Sequence, residues 1–149
     1  MMITVLYGGE GPEREVSLRS GAAVTSAFAE RGRDVTGADL RRKEDLFALL
    51  DEGNVEFAFI ALHGGWGEDG TLQAALEMAG VPFSGSGHAA CALAMDKTAS
   101  KALFRWKGIS VPKGIEVTGE RGVRDVLDDP HMPSLLERSG KLVVKPCCS

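Results

Sequence analysis

Five positions in this chain carry residue types that could do chemistry: Glu13, Ser17, His63, Lys97 and Lys145. Glu13 and Ser17 lie in Gly8-Gly9-Glu10-Gly11-Pro12-Glu13-Arg14-Glu15-Val16-Ser17, a glycine-rich loop that opens a helix. An acidic residue there either complements the positive end of the helix dipole or offers its carboxylate to an ammonium group. The loop is not GxGxxG, so a dinucleotide fingerprint is absent. His63 lies in Ala61-Leu62-His63-Gly64-Gly65-Trp66-Gly67-Glu68-Asp69-Gly70-Thr71, where a strand runs into a second glycine-rich loop. A histidine so placed can donate to a carboxylate or phosphate, titrate near neutral pH, or bond a loop carbonyl. Glu68 and Asp69 are suited to capping the helix that follows. No second His or Cys stands at ligand spacing, so no metal site is expected.

The lysines form a separate group. Gly85-Ser86-Gly87 is followed by Met95-Asp96-Lys97, with Lys101 one turn beyond. Lys145 ends the apolar run Leu142-Val143-Val144-Lys145-Pro146. A lysine flush with an apolar strand is costly to bury unless paired, and a phosphate would be a suitable partner. Taken singly, each lysine is equally compatible with solvated surface.

These residues need a scaffold, and the hydrophobic pattern supplies one. Ile3 to Tyr7 reads as a buried parallel strand running into the first glycine loop. Glu15 to Arg31 reads as a helix, with Ala23 and Ala27, and Val24 and Phe28, on one side. Its small residues Ser17, Ser20, Gly21 and Ala22 allow close approach to a sheet or ligand. Asp34–Ala38 reads as a strand, Lys43–Leu50 as a helix and Phe57–Leu62 as a strong apolar strand. Thr71–Ala79 is helical, with Leu72, Ala75, Leu76 and Ala79 at i, i+3, i+4 and i+7. Val81–Phe83 is a short strand and Gly87–Met95 a short helix. Strand–helix alternation implies a parallel sheet covered on both faces. Residues 1–95 are therefore expected to form a Rossmann-like α/β domain, with both glycine loops at the carboxyl edge of its strands.

From Asp96 the organisation changes. Asp96 can cap a helix carrying Ala99, Ala102, Leu103 and Trp106, closed by Gly108. Lys113–Val117 and Leu142–Lys145 read as strands, and Glu120–Asp129 and Pro133–Ser139 as helices. Two strands with little core are marginal alone. Residues 96–149 are thus expected to be the beginning of a larger subdomain that continues past Ser149.

Composition excludes several classes. Of 149 residues, 44% are hydrophobic and 26% charged, which suits a globular chain rather than a disordered one. A net charge of −4 gives no broad basic surface for nucleic acid. No apolar run reaches the roughly 18–20 residues of a membrane span. Met1 to Leu6 lacks a basic region and a cleavage site, so it is not expected to be a signal peptide. Cys91, Cys147 and Cys148 are odd in number and irregular in spacing. They read as reduced thiols in a cytoplasmic protein rather than a disulfide framework or zinc site.

In combination the motifs are specific. Gly-Gly-x-x-x-Glu-Arg-Glu-Val-Ser, Leu-His-Gly-x-x-Gly-Glu-Asp-Gly, Gly-Ser-Gly, Met-Asp-Lys and Val-Lys-Pro occur in this order from Val5 to Pro146. This series resembles the D-alanine–D-alanine ligases of the ATP-grasp superfamily. The resemblance implies a Rossmann-like domain over 1–95 and an incomplete ATP-grasp subdomain over 96–149. It implies that Glu13 holds the ammonium of the first D-alanine. Ser17 would accompany it in the catalytic group, and His63 would stand near substrate and phosphate at the reaction centre. Lys97 and Lys145 would bind ATP phosphates. The implied reaction forms a D-alanyl phosphate from D-alanine and ATP, which the amine of a second D-alanine then attacks. Charge on the transferred phosphoryl group would be offset by cationic groups and Mg²⁺.

The resemblance further implies a cytoplasmic homodimer with two D-alanine molecules and ATP as partners, and neither nucleic acid nor membrane. The chain departs from the family after Lys145-Pro146: Cys147-Cys148-Ser149 stands where members carry Gly-Ser-Ser-Val-Gly. The family's adenine-binding segment, Mg²⁺ ligands and substrate-binding arginine would lie beyond Ser149. The 149-residue chain alone is accordingly expected to be inactive. The alternative expectation is a non-catalytic binding or dimerisation fragment of the same fold. The second substrate could be D-alanine, D-lactate or D-serine, and the first loop and His-Gly motif favour D-alanine.

Overall fold

Ile3, Thr4, Val5 and Leu6 are all buried, although they alternate between the two faces of a sheet. That is the signature of a central strand covered on both sides. The computed structural model describes residues 1–117 and 123–148 and shows this strand, β1 (Ile3–Gly8), paired in parallel with two neighbours. β2 (Val35–Leu40) pairs with it from Ile3 opposite Val35 to Gly8 opposite Leu40. β3 (Phe57–Ile60) pairs on the other edge, with Ile3 opposite Phe57 and Leu6 opposite Ile60. The sheet order is β2-β1-β3, so the expected α/β class with a parallel sheet is what forms.

Two clusters cover the two faces. Ile3 and Val5 pack with Ala61, Tyr7, Val24, Phe28 and Phe59. Val24 and Phe28 come from α1 (Arg14–Glu30), and Phe28 meets Phe59 edge-on with ring centroids 5.5 Å apart. Gly21 of α1 is buried against Tyr7, and a Cβ there would run into the ring. The helix therefore lies as close to β1 as its small residues suggested. On the other face Leu6 packs with Leu40, Ala58, Leu62 and Trp66. Leu46 of α2 (Lys43–Asp51) and Leu72 and Leu76 of α3 (Thr71–Met78) complete that cluster. α4 (His88–Met95) follows.

The expected strand at Val81–Phe83 is reduced to a single parallel bridge between Ala58 and Phe83. Ala58 N donates to Pro82 O at 2.9 Å and Ser84 N to Ala58 O at 3.0 Å. Pro82 has no N–H to extend the ladder.

The chain divides into two compact units, Met1–Met95 and Asp96–Cys148. The regular elements of the second, among its described residues, are all helices: α5 (Lys97–Trp106), α6 (Val123–Leu127) and α7 (Met132–Ser139). Asp96 caps α5, its carboxylate accepting from Thr98 N and Ala99 N at 2.9 Å each. The first residues of the expected Glu120–Asp129 helix lie outside the described residues. The strands expected at Lys113–Val117 and Leu142–Lys145 do not form. A strand exists only with a hydrogen-bonded partner, and these two segments do not pair with each other. Nor is their apolar pattern buried: Val143 is 79% and Val144 94% exposed. Met132 is the one buried apolar residue among the described residues of this unit. No helix among the described residues is long and apolar enough to cross a membrane.

Candidate functional site

The carboxyl ends of β1 and β3 lie side by side, so the loops that leave them face each other across a cleft of about 480 Å³. Gly9 to Glu13 form one wall and Leu62 to Trp66 the other, with Glu68 and Met95 completing the lining. This volume is in the range of small-molecule sites.

Ser17 fixes the spacing of the two walls. It is wholly buried, and its hydroxyl accepts from Gly8 N at 2.8 Å while donating to Ala61 O at 2.7 Å. One side chain thus bridges the end of β1 to the chain leaving β3. With both partners engaged and no exposure, Ser17 does not line the cleft.

Glu13 occupies the N-cap position of α1 but makes no side-chain capping bond. Its carbonyl accepts from Ser17 N at 3.0 Å, while its carboxylate points across the loop. A Cβ built on Gly64 would lie 2.6 Å from Glu13 Oε2. Gly64 also has φ +69°, a left-handed conformation that glycine adopts without penalty. The exposed Glu13 carboxylate has no hydrogen-bond partner among the described residues, so it remains open to a cation.

His63 stands on the opposite wall. Its Nε2 lies 3.0 Å from Ser20 Oγ, one turn along α1 from Ser17. Nδ1 is 3.7 Å from Glu68 Oε1, an ion-pair distance that is too long for a hydrogen bond. The second loop is itself braced: buried Gln73 donates through Nε2 to Gly67 O at 2.9 Å, and Asp69 Oδ1 accepts from Thr71 N at 2.9 Å. Asp69 thus serves the start of α3, as its position suggested. Trp66 is buried on the same wall.

Arg14 anchors the first loop from behind. Its guanidinium makes a two-pronged contact with Asp39, NH1 to Oδ1 at 2.9 Å and NH2 to Oδ2 at 2.8 Å, and reaches Gly9 O at 3.3 Å. The Arg14 hydrogen bond holds the Asp39 carboxyl below its ordinary range, against an opposing effect of partial burial. The motif reading passed over this pair and over Ser20. Ser20 was recoverable, because i+3 from Ser17 lies on the same helix face. Asp39 was not, because nothing local ties it to a residue 25 positions away.

In the second unit Lys97 opens α5 and lines a smaller cleft of about 230 Å³. Lys101 and Arg105 join it at four-residue spacing, with Glu116 opposite. Three cationic side chains on one helix face suit a polyanion such as a phosphate chain. Lys145 is exposed, lies on a segment without regular secondary structure and lines neither cleft. Glu13 and His63 are thus brought together, Lys97 gains two cationic neighbours, and Lys145 joins neither group.

Comparison with known proteins finds relatives of one kind. Residues 38–86 match a family model described as D-ala D-ala ligase N-terminus. A D-alanine–D-alanine ligase of Anaeromyxobacter sp. (strain Fw109-5) is 53% identical over 109 residues, covering 73% of this chain and 35% of the relative. D-alanine–D-alanine ligase B of Pseudomonas putida is 47% identical over 144 residues, covering 97% and 42%. Two crystal structures of the Bacillus anthracis D-alanine–D-alanine ligase, one complexed with ATP, each superpose with a TM-score of 0.76 at 36% identity. They cover 86% of this chain and 42% of theirs. The chain spans less than half the length of these relatives. Over most of its length the chain is similar to the N-terminal part of D-alanine–D-alanine ligases, and its residues 38–86 match the model of that N-terminus.

Proposed function

We propose that this chain supplies the first-substrate side of an ATP-dependent D-alanine–D-alanine ligase of peptidoglycan synthesis. The observation that carries the reading is the pairing of Glu13 and His63 on facing walls of one cleft. The Glu13 carboxylate, which caps nothing, takes the ammonium of the first D-alanine. His63, held through Nε2 by Ser20, turns its Nδ1 edge, which lies 3.7 Å from Glu68 Oε1, toward the carboxylate end of the amino acid and the phosphate it meets. Ser17 acts as a positioning residue: it sets the distance between the loops rather than touching substrate. ATP supplies the activation, converting the D-alanine carboxylate to an acyl phosphate that a second D-alanine amine can attack.

On the nucleotide side, Lys97 binds phosphate, and the positions of Lys101 and Arg105 beside it support that role. Lys145 is proposed for the same task on the family resemblance. The donor set does not fit Mg²⁺. Among the described residues one group of three potential ligands comes together, Asp96, Cys147 and Cys148, and two of these offer sulfur. Magnesium takes oxygen ligands, so this group would not hold it. The same resemblance supports a cytoplasmic homodimer, for which sedimentation of the purified chain is the direct check.

Amino-acid titration tests the reading. Trp66 lines the cleft and reports its occupancy through indole fluorescence. D-alanine is expected to give a saturable change and L-alanine a much weaker one. Glu13→Gln should weaken D-alanine binding about tenfold or more, the value of a charge-assisted hydrogen bond. Equal binding of both enantiomers, or an unchanged affinity in Glu13→Gln, would overturn the assignment.

A further inference from the structure

Asp96, Cys147 and Cys148 bring one carboxylate oxygen and two thiol sulfurs within 4.8 Å of one another. The spacing of the cysteines along the chain gave no hint of this, because the third donor lies some fifty residues upstream. Backbone pairing assembles the group. Asp96 and Cys148 form an antiparallel bridge, and Lys97 N donates to Cys147 O at 3.0 Å. The Cys147 thiol donates to Asp96 Oδ1 at 3.5 Å and lies 3.3 Å from Thr98 Oγ1. The carboxylate is already fixed by its two capping bonds to Thr98 N and Ala99 N. One ligand is thus oriented before any ion arrives, and both thiols are exposed and reduced.

We propose that Asp96, Cys147 and Cys148 form a binding site for a thiophilic divalent cation of the zinc class, with water as a fourth ligand. Zinc takes thiolate at about 2.3 Å and carboxylate oxygen at about 2.0–2.2 Å in a tetrahedron. Ligand atoms then stand roughly 3.5 Å apart. Exposed cysteine side chains reach that separation from the present one by small rotations. Two sulfurs select against Mg²⁺ and Ca²⁺, which demand oxygen. Occupancy would pin the segment carrying Lys145 to the end of α5 that carries Lys97. The site does not depend on the ligase reading, because it needs neither cleft.

The test is a titration of the reduced 149-residue chain with Cd²⁺, followed by the ultraviolet charge-transfer absorption of cadmium thiolates. The band should saturate at one Cd²⁺ per chain, be displaced by Zn²⁺ and be indifferent to Mg²⁺. Cys91→Ser should leave it intact. Cys147→Ser and Cys148→Ser should each weaken binding by more than the roughly tenfold that losing an outer-shell partner costs. Asp96→Asn keeps the helix cap but removes the anionic ligand, and it too should weaken binding, with far-ultraviolet circular dichroism unchanged. A band that does not saturate at one equivalent, that survives either cysteine substitution, or that keeps its affinity in Asp96→Asn would overturn the proposal.

Discussion

Ser20 Oγ lies 3.0 Å from His63 Nε2, which ties the second glycine loop to the first helix across the sheet edge. The contact orients the imidazole, whose Nδ1 edge faces Glu68 Oε1 at 3.7 Å. Ser20→Ala removes the brace without touching the proposed substrate. D-alanine affinity should fall about two- to tenfold, the fold-change of a neutral hydrogen bond worth about 0.5–1.5 kcal/mol. The His63 ring resonances should also shift in the nuclear magnetic resonance spectrum of the unliganded chain. Wild-type affinity in Ser20→Ala would show that His63 needs no such support.

The hydroxyl of Ser17 makes a harsher demand, because it satisfies two backbone groups at once in a wholly buried position. Ser17→Ala leaves Gly8 N–H and Ala61 C=O without their partner. Each buried orphan costs about 1–3 kcal/mol, so a loss of roughly 2–6 kcal/mol is expected for the two. Urea unfolding followed by circular dichroism measures it. A midpoint close to wild type would mean that other groups replace the hydroxyl and that the two loops are spaced by something else.

Much of the first unit was legible because its signals are local. β1 is a short apolar run ending in glycine, and α1 and α3 show helical periodicity, so both glycine loops could be placed at the strand ends that position Glu13 and His63. The second unit misled for a physical reason. Leu142-Val143-Val144 has strand-like composition, but a strand is a pairwise object, and the pairing does not form among the described residues. The same limit hid the Arg14–Asp39 fork and the Asp96–Cys147–Cys148 group. Both join residues whose proximity is created by the fold and carries no trace in spacing.

Asp39 makes the anchoring of the first loop pH-dependent. Hydrogen bonding by Arg14 lowers its pKa in the folded chain from the ordinary 3.8. A carboxylate with a depressed folded pKa contributes stability that is fully present above its unfolded value. That contribution disappears as pH falls below the ordinary value and through the folded one. Thermal unfolding of wild type and Asp39→Asn should therefore differ at neutral pH and converge in acid. Parallel pH curves would show that the fork adds no charge-dependent stability.

Binding and turnover should separate in this chain. Glu13 and His63 both line one cleft of the first unit, so D-alanine binding there is expected to be measurable. Phosphoryl transfer needs more: charge on the moving group must be offset by cations held in line with it. Lys97, Lys101 and Arg105 can hold phosphate, but the described residues offer no oxygen-rich set for the metal that phosphoryl transfer uses. With ATP, Mg²⁺ and D-alanine present, phosphate release by the 149-residue chain should stay at the level seen without D-alanine. The Trp66 response to D-alanine should persist in the same sample. Release that rises with D-alanine would show that the chain assembles a working transfer site by itself. Loss of the Trp66 response would place amino-acid recognition outside the cleft as well.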